Sequence, residues 1–182
     1  ELNIVDMVRP VTKYAAMVVR PKDIRSHLEK AVYLARSGRP GPVWIDVPLD
    51  IQAAHITPSS LPAFKTPVSP KPGLIPFGRI LRMLKDAKRP LLILGHGIRS
   101  AGAEEKVKKL VEMLGIPVVT SILGKDLLGW DHPLNAGTPG IAGQRGANFV
   151  VQNADLILNI GSRLMLRQIG FDYKAFAPNA RM

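Results

Sequence analysis

Cysteine is absent from this 182-residue chain. That removes disulfides, thiolate nucleophiles and cysteine metal sites together, and fits a reducing cytoplasm as the expected compartment. Aromatic residues are sparse, at 5%, and do not interleave with the basic residues as a base-stacking platform requires. No apolar stretch reaches about eighteen residues, and Glu1 to Pro10 holds no basic segment followed by an apolar one. Neither a spanning helix nor a signal peptide is therefore visible, and no membrane is expected as a partner. Runs of like charge are missing too. The formal net charge of +11 is spread along the chain with no run of five lysines or arginines, so no nucleic acid is expected, and phosphorylated ligands are the better match to scattered arginines.

What is present is apolar material, 46% of the chain, enough for one large domain or one domain with a fragment of another. Pro21 suits a first helical turn, and Ile24, Leu28, Ala31, Val32 and Ala35 recur at helical spacing ahead of Gly38. These predict a helix with one buried face and a left-handed cap. After Gly38-Arg39-Pro40-Gly41, Val43 to Val47 reads as a short, largely buried strand closed by Pro48. One helix and one strand cannot make a domain, so residues 1–54 read as the end of one. Prolines at 58, 62, 67, 70, 72 and 76 and the loss of apolar periodicity make 55–76 a stiff linker lying across a surface.

From Phe77 a helix-then-strand pattern repeats. Ile80, Leu81 and Leu84 give a helix face, Leu91 to Leu94 a strand, and Val107, Leu110, Val111 and Leu114 a helix ended by Gly115. Pro117 to Thr120 gives a second strand, Ala147 to Asn153 a helix, and Leu156 to Ile160 a third strand. Such alternation predicts an α/β fold, a parallel sheet flanked by helices. Both termini read as cuts through a longer polypeptide. The unit 77–182 is expected to lack its last strand or strands and to leave part of a sheet edge exposed.

Ligands of a parallel sheet sit outside the carboxyl ends of its strands. Those ends hold Gly95-His96-Gly97, Ser121-Ile122-Leu123-Gly124 and Gly161-Ser162-Arg163, which should line one edge. Gly95 and Gly97 permit close approach of a phosphate or flat ring, with Ser100 placed to cap the next helix; a strand-to-helix turn also needs glycine on its own account. The acidic ribose ligand of nicotinamide sites is replaced by Thr120 and Ser121. Gly140 to Gly146 is glycine-rich and enters a helix, where free amides could face an anion, or it is simply a loop. Arg163 and Arg167 would share a face if that stretch is helical, and could clamp a diphosphate. His96 and His132 have no ligand-spaced partner, and no serine–histidine–acid set or close carboxylate pair is present, so neither metal-binding nor catalytic residues are expected in this chain.

Two stretches carry a family resemblance. Ser37 to Asp50 (Ser-Gly-Arg-Pro-Gly-Pro-Val-Trp-Ile-Asp-Val-Pro-Leu-Asp) resembles the end of the pyrimidine-binding domain of the acetohydroxyacid (acetolactate) synthase and pyruvate oxidase group of thiamine-diphosphate enzymes. Leu91 to Gly97, Pro117 to Gly124, Gly140 to Asp155 and Gly161 to Gly170 resemble, in order, that group's central domain, with Val151-Gln152-Asn153-Ala154-Asp155 especially close. Only the linker is unmatched.

The resemblance implies a Rossmann-like central domain over 77–182, preceded by a helix–strand remnant of the pyrimidine-binding domain. It implies a parent enzyme that joins 2-keto acids with decarboxylation, using thiamine diphosphate and magnesium held by domains outside this chain. This piece would be a non-catalytic FAD or nucleotide scaffold. By position, flavin contacts would fall on Gly95, His96 and Gly97; on Ser121, Ile122 and Leu123; on Gly140, Ile141, Ala142 and Gly143; and on Gly161, Ser162, Arg163, Arg167 and Gln168. Arg9, ahead of Thr12-Lys13, would add one from the first domain. The substrate would be a small 2-keto acid, the parent a homodimer or homotetramer, and the piece itself a monomer. Synthases commonly carry Arg-Phe-Asp-Asp-Arg where this chain has Arg163-Leu164-Met165-Leu166-Arg167, which keeps both arginines and loses the acids. A flavin-free thiamine-dependent decarboxylase or acyltransferase, and a non-catalytic nucleotide or anion-binding module, are the alternatives.

Overall fold

A computed structural model describes residues 2–68 and 73–182, divided into two compact units, Glu1–Pro72 and Gly73–Met182. Of the expected linker, residues 69–72 lie outside the described residues.

In the first unit, α1 (Ile4–Val8) opens on Asn3, whose side chain accepts from the Asp6 amide, a standard N-cap. A 3-10 turn (Arg9–Val11) leads into β1 (Tyr14–Met17), and a second (Pro21–Asp23) into α2 (Ile24–Arg36). β2 (Val43–Asp46) pairs with β1 in parallel, Tyr14 opposite Val43 and Met17 opposite Asp46. α3 (Leu49–Gln52) and a 3-10 turn (Pro58–Ser60) follow. Lys13 Nζ donates to the carbonyls of Ser37 and Arg39, at 2.6 and 2.9 Å, and so ties down the Gly38 turn. The chain beyond lies on α2: the Phe64 amide donates to the Glu29 carboxylate at 2.7 Å, and its ring meets Tyr33 at 5.7 Å.

Two sequence expectations fail in this unit. α2 buries only Ala31, with Leu28 and Val32 about half exposed, and β2 is half-buried, with Trp44 exposed, rather than largely buried. Helical periodicity identifies an apolar face; it does not supply the layer that covers it.

The second unit begins with α4 (Phe77–Asp86), in which Leu81 is exposed despite its place on the expected face. β3 (Pro90–Leu94) is followed by α5 (Gly97–Ser100) and α6 (Glu104–Leu114), then β4 (Val118–Thr120), α7 (Arg145–Asn153), β5 (Leu156–Ile160) and α8 (Leu166–Ile169). All three strands are parallel, in the order β4-β3-β5. Central β3 has Leu91, Leu92, Ile93 and Leu94 almost wholly buried, as a strand covered on both faces requires. Leu91, Ile93, Val119 and Ile157 pack with Ala147 and Val151 of α7. Leu92, Leu94 and Val118 pack on the other face with Val107 and Val111 of α6. α6 ends at Gly115, φ +60°.

The strand edges are better covered than expected. Residues 134–137 run beside β4, with the Val118 amide donating to Leu134 and the Thr120 amide to Gly137. Arg181 bridges Leu156 in parallel on the outer side of β5, exchanging hydrogen bonds with Asp155 and Ile157. Asp155 also caps the β3 entrance, its carboxylate accepting from the Lys88 and Arg89 amides at 2.8 and 2.9 Å. Among the described residues, no helix is long and apolar enough to cross a membrane.

Candidate functional site

The strand order places the site. β3 leads through α6 on one face to β4; β4 leads through α7 on the other face back across β3 to β5. The direction of winding therefore reverses between β3 and β5, and the crevice of such a sheet opens at that reversal, outside the carboxyl ends. The loops there are Gly95-His96-Gly97 and Gly161-Ser162-Arg163. They touch: the Gly97 amide donates to the Gly161 carbonyl at 2.9 Å and the Gly95 amide to Ile160 at 2.9 Å. A Cβ on Gly95 would collide with the backbone of Gly161 and Ser162. This requirement is structural, because the space next to Gly95 is taken by the facing strand end rather than left for a ligand.

The β4 loop joins the same edge. The Ser121 amide donates to the Leu94 carbonyl at 2.8 Å. His96 Nδ1 lies 3.2 Å from the Leu123 carbonyl; a carbonyl only accepts, so the ring carries its proton on Nδ1. Arg99 and Asp126 form an ion pair at 2.8 Å across the same two segments. Ile122 and Leu123 remain exposed, leaving an apolar rim beside polar backbone.

The glycine-rich loop is braced from below. Asn148 Oδ1 accepts from the Gly140 amide at 2.8 Å while its Nδ2 donates to the Gly140 carbonyl at 3.2 Å. Gln144 Oε1 accepts from the Thr138 amide at 2.7 Å, and Thr138 and Thr120 hydroxyls meet at 3.2 Å in the core. Gly140, at φ +122°, packs against the Arg167 carbonyl, which accepts from the Ile141 amide at 3.0 Å. The loop and the α8 turn are thus packed and hydrogen-bonded together. Ile141 and Ala142 face outward, and Gly143 is half-buried.

Two sequence expectations need correcting here. Arg163 and Arg167 do not share a helix face, since α8 starts only at Leu166 and Leu164 stands at φ +50°. That left-handed leucine costs about 1–3 kcal/mol. It is held by packing of its side chain on the core and by its amide donating to Ser162 Oγ at 3.1 Å. Both guanidiniums are exposed and without a carboxylate partner among the described residues. Ser100 does not cap the next helix: it ends α5, and α6 follows Ala103 as N-cap, with no side-chain cap.

Gln168 is 4% exposed, and its Nε2 has no acceptor. A buried amide donor left unpaired is costly unless something else supplies the acceptor. Asn159 Oδ1 is a second buried orphan; the partner nitrogen of that side chain donates to the Ser162 carbonyl at 2.9 Å. Asn159, Asn148 and Gln144 were missed in the sequence, where amides inside a strand or a helix start carry no spacing signal. Arg9 lies in the other unit, paired with Asp6 at 3.0 Å on an exposed surface. His132 pairs with Glu112 at 2.8 Å. Among the described residues, no three histidine or acidic side chains converge as metal ligands.

The loops after β3, β4 and β5, with the braced 140–143 loop, therefore present glycine backbone, apolar rim residues and free guanidiniums within one unit, which also holds a buried amide donor left unpaired. This is chemistry suited to an extended ligand with flat rings and a diphosphate. Residues 77–182 match the family described as thiamine pyrophosphate enzyme, central domain. The whole chain is 37% identical over 187 residues to an acetolactate synthase large subunit of Corynebacterium glutamicum, covering 29% of that protein. It is 33% identical over 193 residues to a probable acetolactate synthase large subunit of Methanococcus aeolicus, covering 31%. It is 38% identical over 188 residues to acetolactate synthase 2, chloroplastic, of Zea mays, covering 29%. The chain thus spans about three-tenths of the length of these curated relatives.

Proposed function

The chain belongs to the thiamine pyrophosphate enzymes, whose central domain it contains, and from that premise we propose that it is the scaffold portion of an acetolactate synthase-like enzyme that joins 2-keto acids with decarboxylation. Residues 1–54 are the end of the pyrimidine-binding domain, 55–76 a linker, and 77–182 the central domain. Thiamine diphosphate and its magnesium are held elsewhere in the parent enzyme. The relatives named above support this reading, since each aligns with the whole of this chain.

The carboxyl edge of the three-stranded sheet holds FAD or a closely related dinucleotide. The observation that carries this is Gln168: a buried amide with an unfilled donor, on the turn that braces the glycine-rich loop. Arg163 and Arg167 would meet the diphosphate, Gln168 Nε2 a ring or ribityl acceptor, and Ile122, Leu123 and Ile141 a ring face. Bound there, FAD supplies two planar rings and a dianionic bridge, and a potential two-electron carrier. The chain's own residues bind it, orient it and keep water from its faces.

Titrating FAD into the chain while following flavin fluorescence tests this. Saturable binding is expected, weakened about tenfold by Arg167→Ala, the loss of one charge-assisted contact. Failure of the folded chain and of the full-length parent to bind FAD would overturn the assignment.

A further inference from the structure

A concavity lies in the first unit, remote in sequence from the sheet edge just described. Its volume is about 420 Å³, and Arg20, Lys22, His55, Ile56, Thr57 and Leu61 line it. Both lining segments follow strand ends: Arg20 and Lys22 come just after β1, and residues 55–61 come after β2 and α3. Since β1 and β2 are parallel, the concavity is built from the connections that leave their carboxyl ends, the usual place for a ligand in such a sheet.

Its chemistry is one-sided. Among the described residues, no carboxylate lines it. Asp23 engages Arg20 only through Nε, at 2.6 Å, so the terminal guanidinium nitrogens stay available for a second anion. Lys22 is exposed and has no ion-pair partner among the described residues. Two cationic side chains border one hollow, and the Asp23 carboxylate balances only one of them, so the hollow is left net positive. Ile56 and Leu61 give the same hollow an apolar wall. Its volume is far more than one inorganic anion needs and falls in the range of small-ligand sites, about 300–1,000 Å³.

From this juxtaposition we propose that the hollow binds a phosphomonoester with a flat organic body, of the nucleoside monophosphate class. The phosphate lies against Arg20 and Lys22, and the base lies along Ile56 and Leu61. The site is independent of the flavin reading, because every residue in it belongs to the other unit.

The probes are AMP, adenosine and inorganic phosphate, added at low ionic strength to the isotope-labelled 182-residue chain, with amide shifts followed by NMR. AMP should give saturable shifts at residues 20–22 and 55–61, and should bind there at least tenfold more tightly than adenosine or phosphate alone. Lys22→Gln and Arg20→Gln should each weaken AMP, read at residues 20–22 and 55–61, about fivefold or more with an unchanged circular dichroism spectrum, and Arg167→Ala should leave the titration at those residues unaffected. Lys22 has no partner to lose, so that variant reports on binding even if Arg20→Gln perturbs the turn held by Asp23. Three results would each overturn the proposal: no saturable shift at these residues, equal affinity for phosphate and AMP, or AMP binding lost in Arg167→Ala but kept in Lys22→Gln.

Discussion

Both units are written in the same sequence idiom, an amphipathic helix beside a short apolar strand, yet they differ sharply in what they bury. In the second unit, Leu91 to Leu94 and Val118 to Thr120 are nearly inaccessible, sealed by α6 and α7 on opposite faces. In the first, the two paired strands are mostly half-buried, and Val5, Val18 and Ala31 are the only buried hydrophobic residues among those described. The difference is one of layers. A parallel pair with one long helix and two short ones leaves its faces only half covered, whereas three strands with helices on each side can be sealed. Binding chemistry follows the same division: the second unit offers glycine backbone and orphaned amides set on a rigid core, and the first offers a charged hollow on a lightly buried frame.

That contrast can be broken or sharpened by substitution, with backbone hydrogen exchange reading each unit separately. The largest effect is expected from Leu92→Ala, which empties a wholly buried position and should cost the second unit about 4 kcal/mol. Gly95→Ala should cost the same unit about 3 kcal/mol, because the new methyl meets the Gly161 and Ser162 backbone, which cannot step aside. Asp155→Asn should have a smaller effect, visible in its pH dependence. Partial burial pushes the Asp155 carboxyl up, but the Lys88 and Arg89 amides and the Arg89 charge outweigh this and hold its pKa below the ordinary value. Its contribution is therefore complete above the unfolded carboxylate pKa and is lost as the pH falls through the depressed folded value. The wild-type chain should lose stability in that acid window more steeply than the variant. The smallest effect, within about 0.5 kcal/mol, is expected from Val32→Ala on the open face of α2. A cost of several kcal/mol there would mean that the first unit is sealed as tightly as the second.

Much of this was legible in the sequence. The strands Leu91 to Leu94 and Leu156 to Ile160 and the helix ended by Gly115 stand where apolar periodicity and a glycine stop put them, since each is covered by partners within the same unit. The gathering of three strand ends at one edge followed from the parallel alternation alone. The failures have one kind of cause. Leu28, Val32, Leu81 and Trp44 read as buried because hydrophobicity marks a face, but whether a face is covered depends on neighbours that periodicity does not record. The condition under which Arg163 and Arg167 would be helical neighbours fails at Leu164, whose left-handed backbone is not recorded in spacing. The orphaned amides of Asn159 and Gln168 and the bracing by Asn148 exist only once the loops have folded against one another.

The central claim, that the carboxyl edge of the three-stranded sheet is a dinucleotide site, is tested most directly by following amide resonances of the 19.8 kDa chain as FAD is added. The account predicts saturating shifts at residues 95–97, 121–124, 140–143 and 161–168, with a new hydrogen bond slowing the Gln168 side-chain amide. Shifts confined to the first unit, or none in a chain whose spectrum shows it folded, would contradict it.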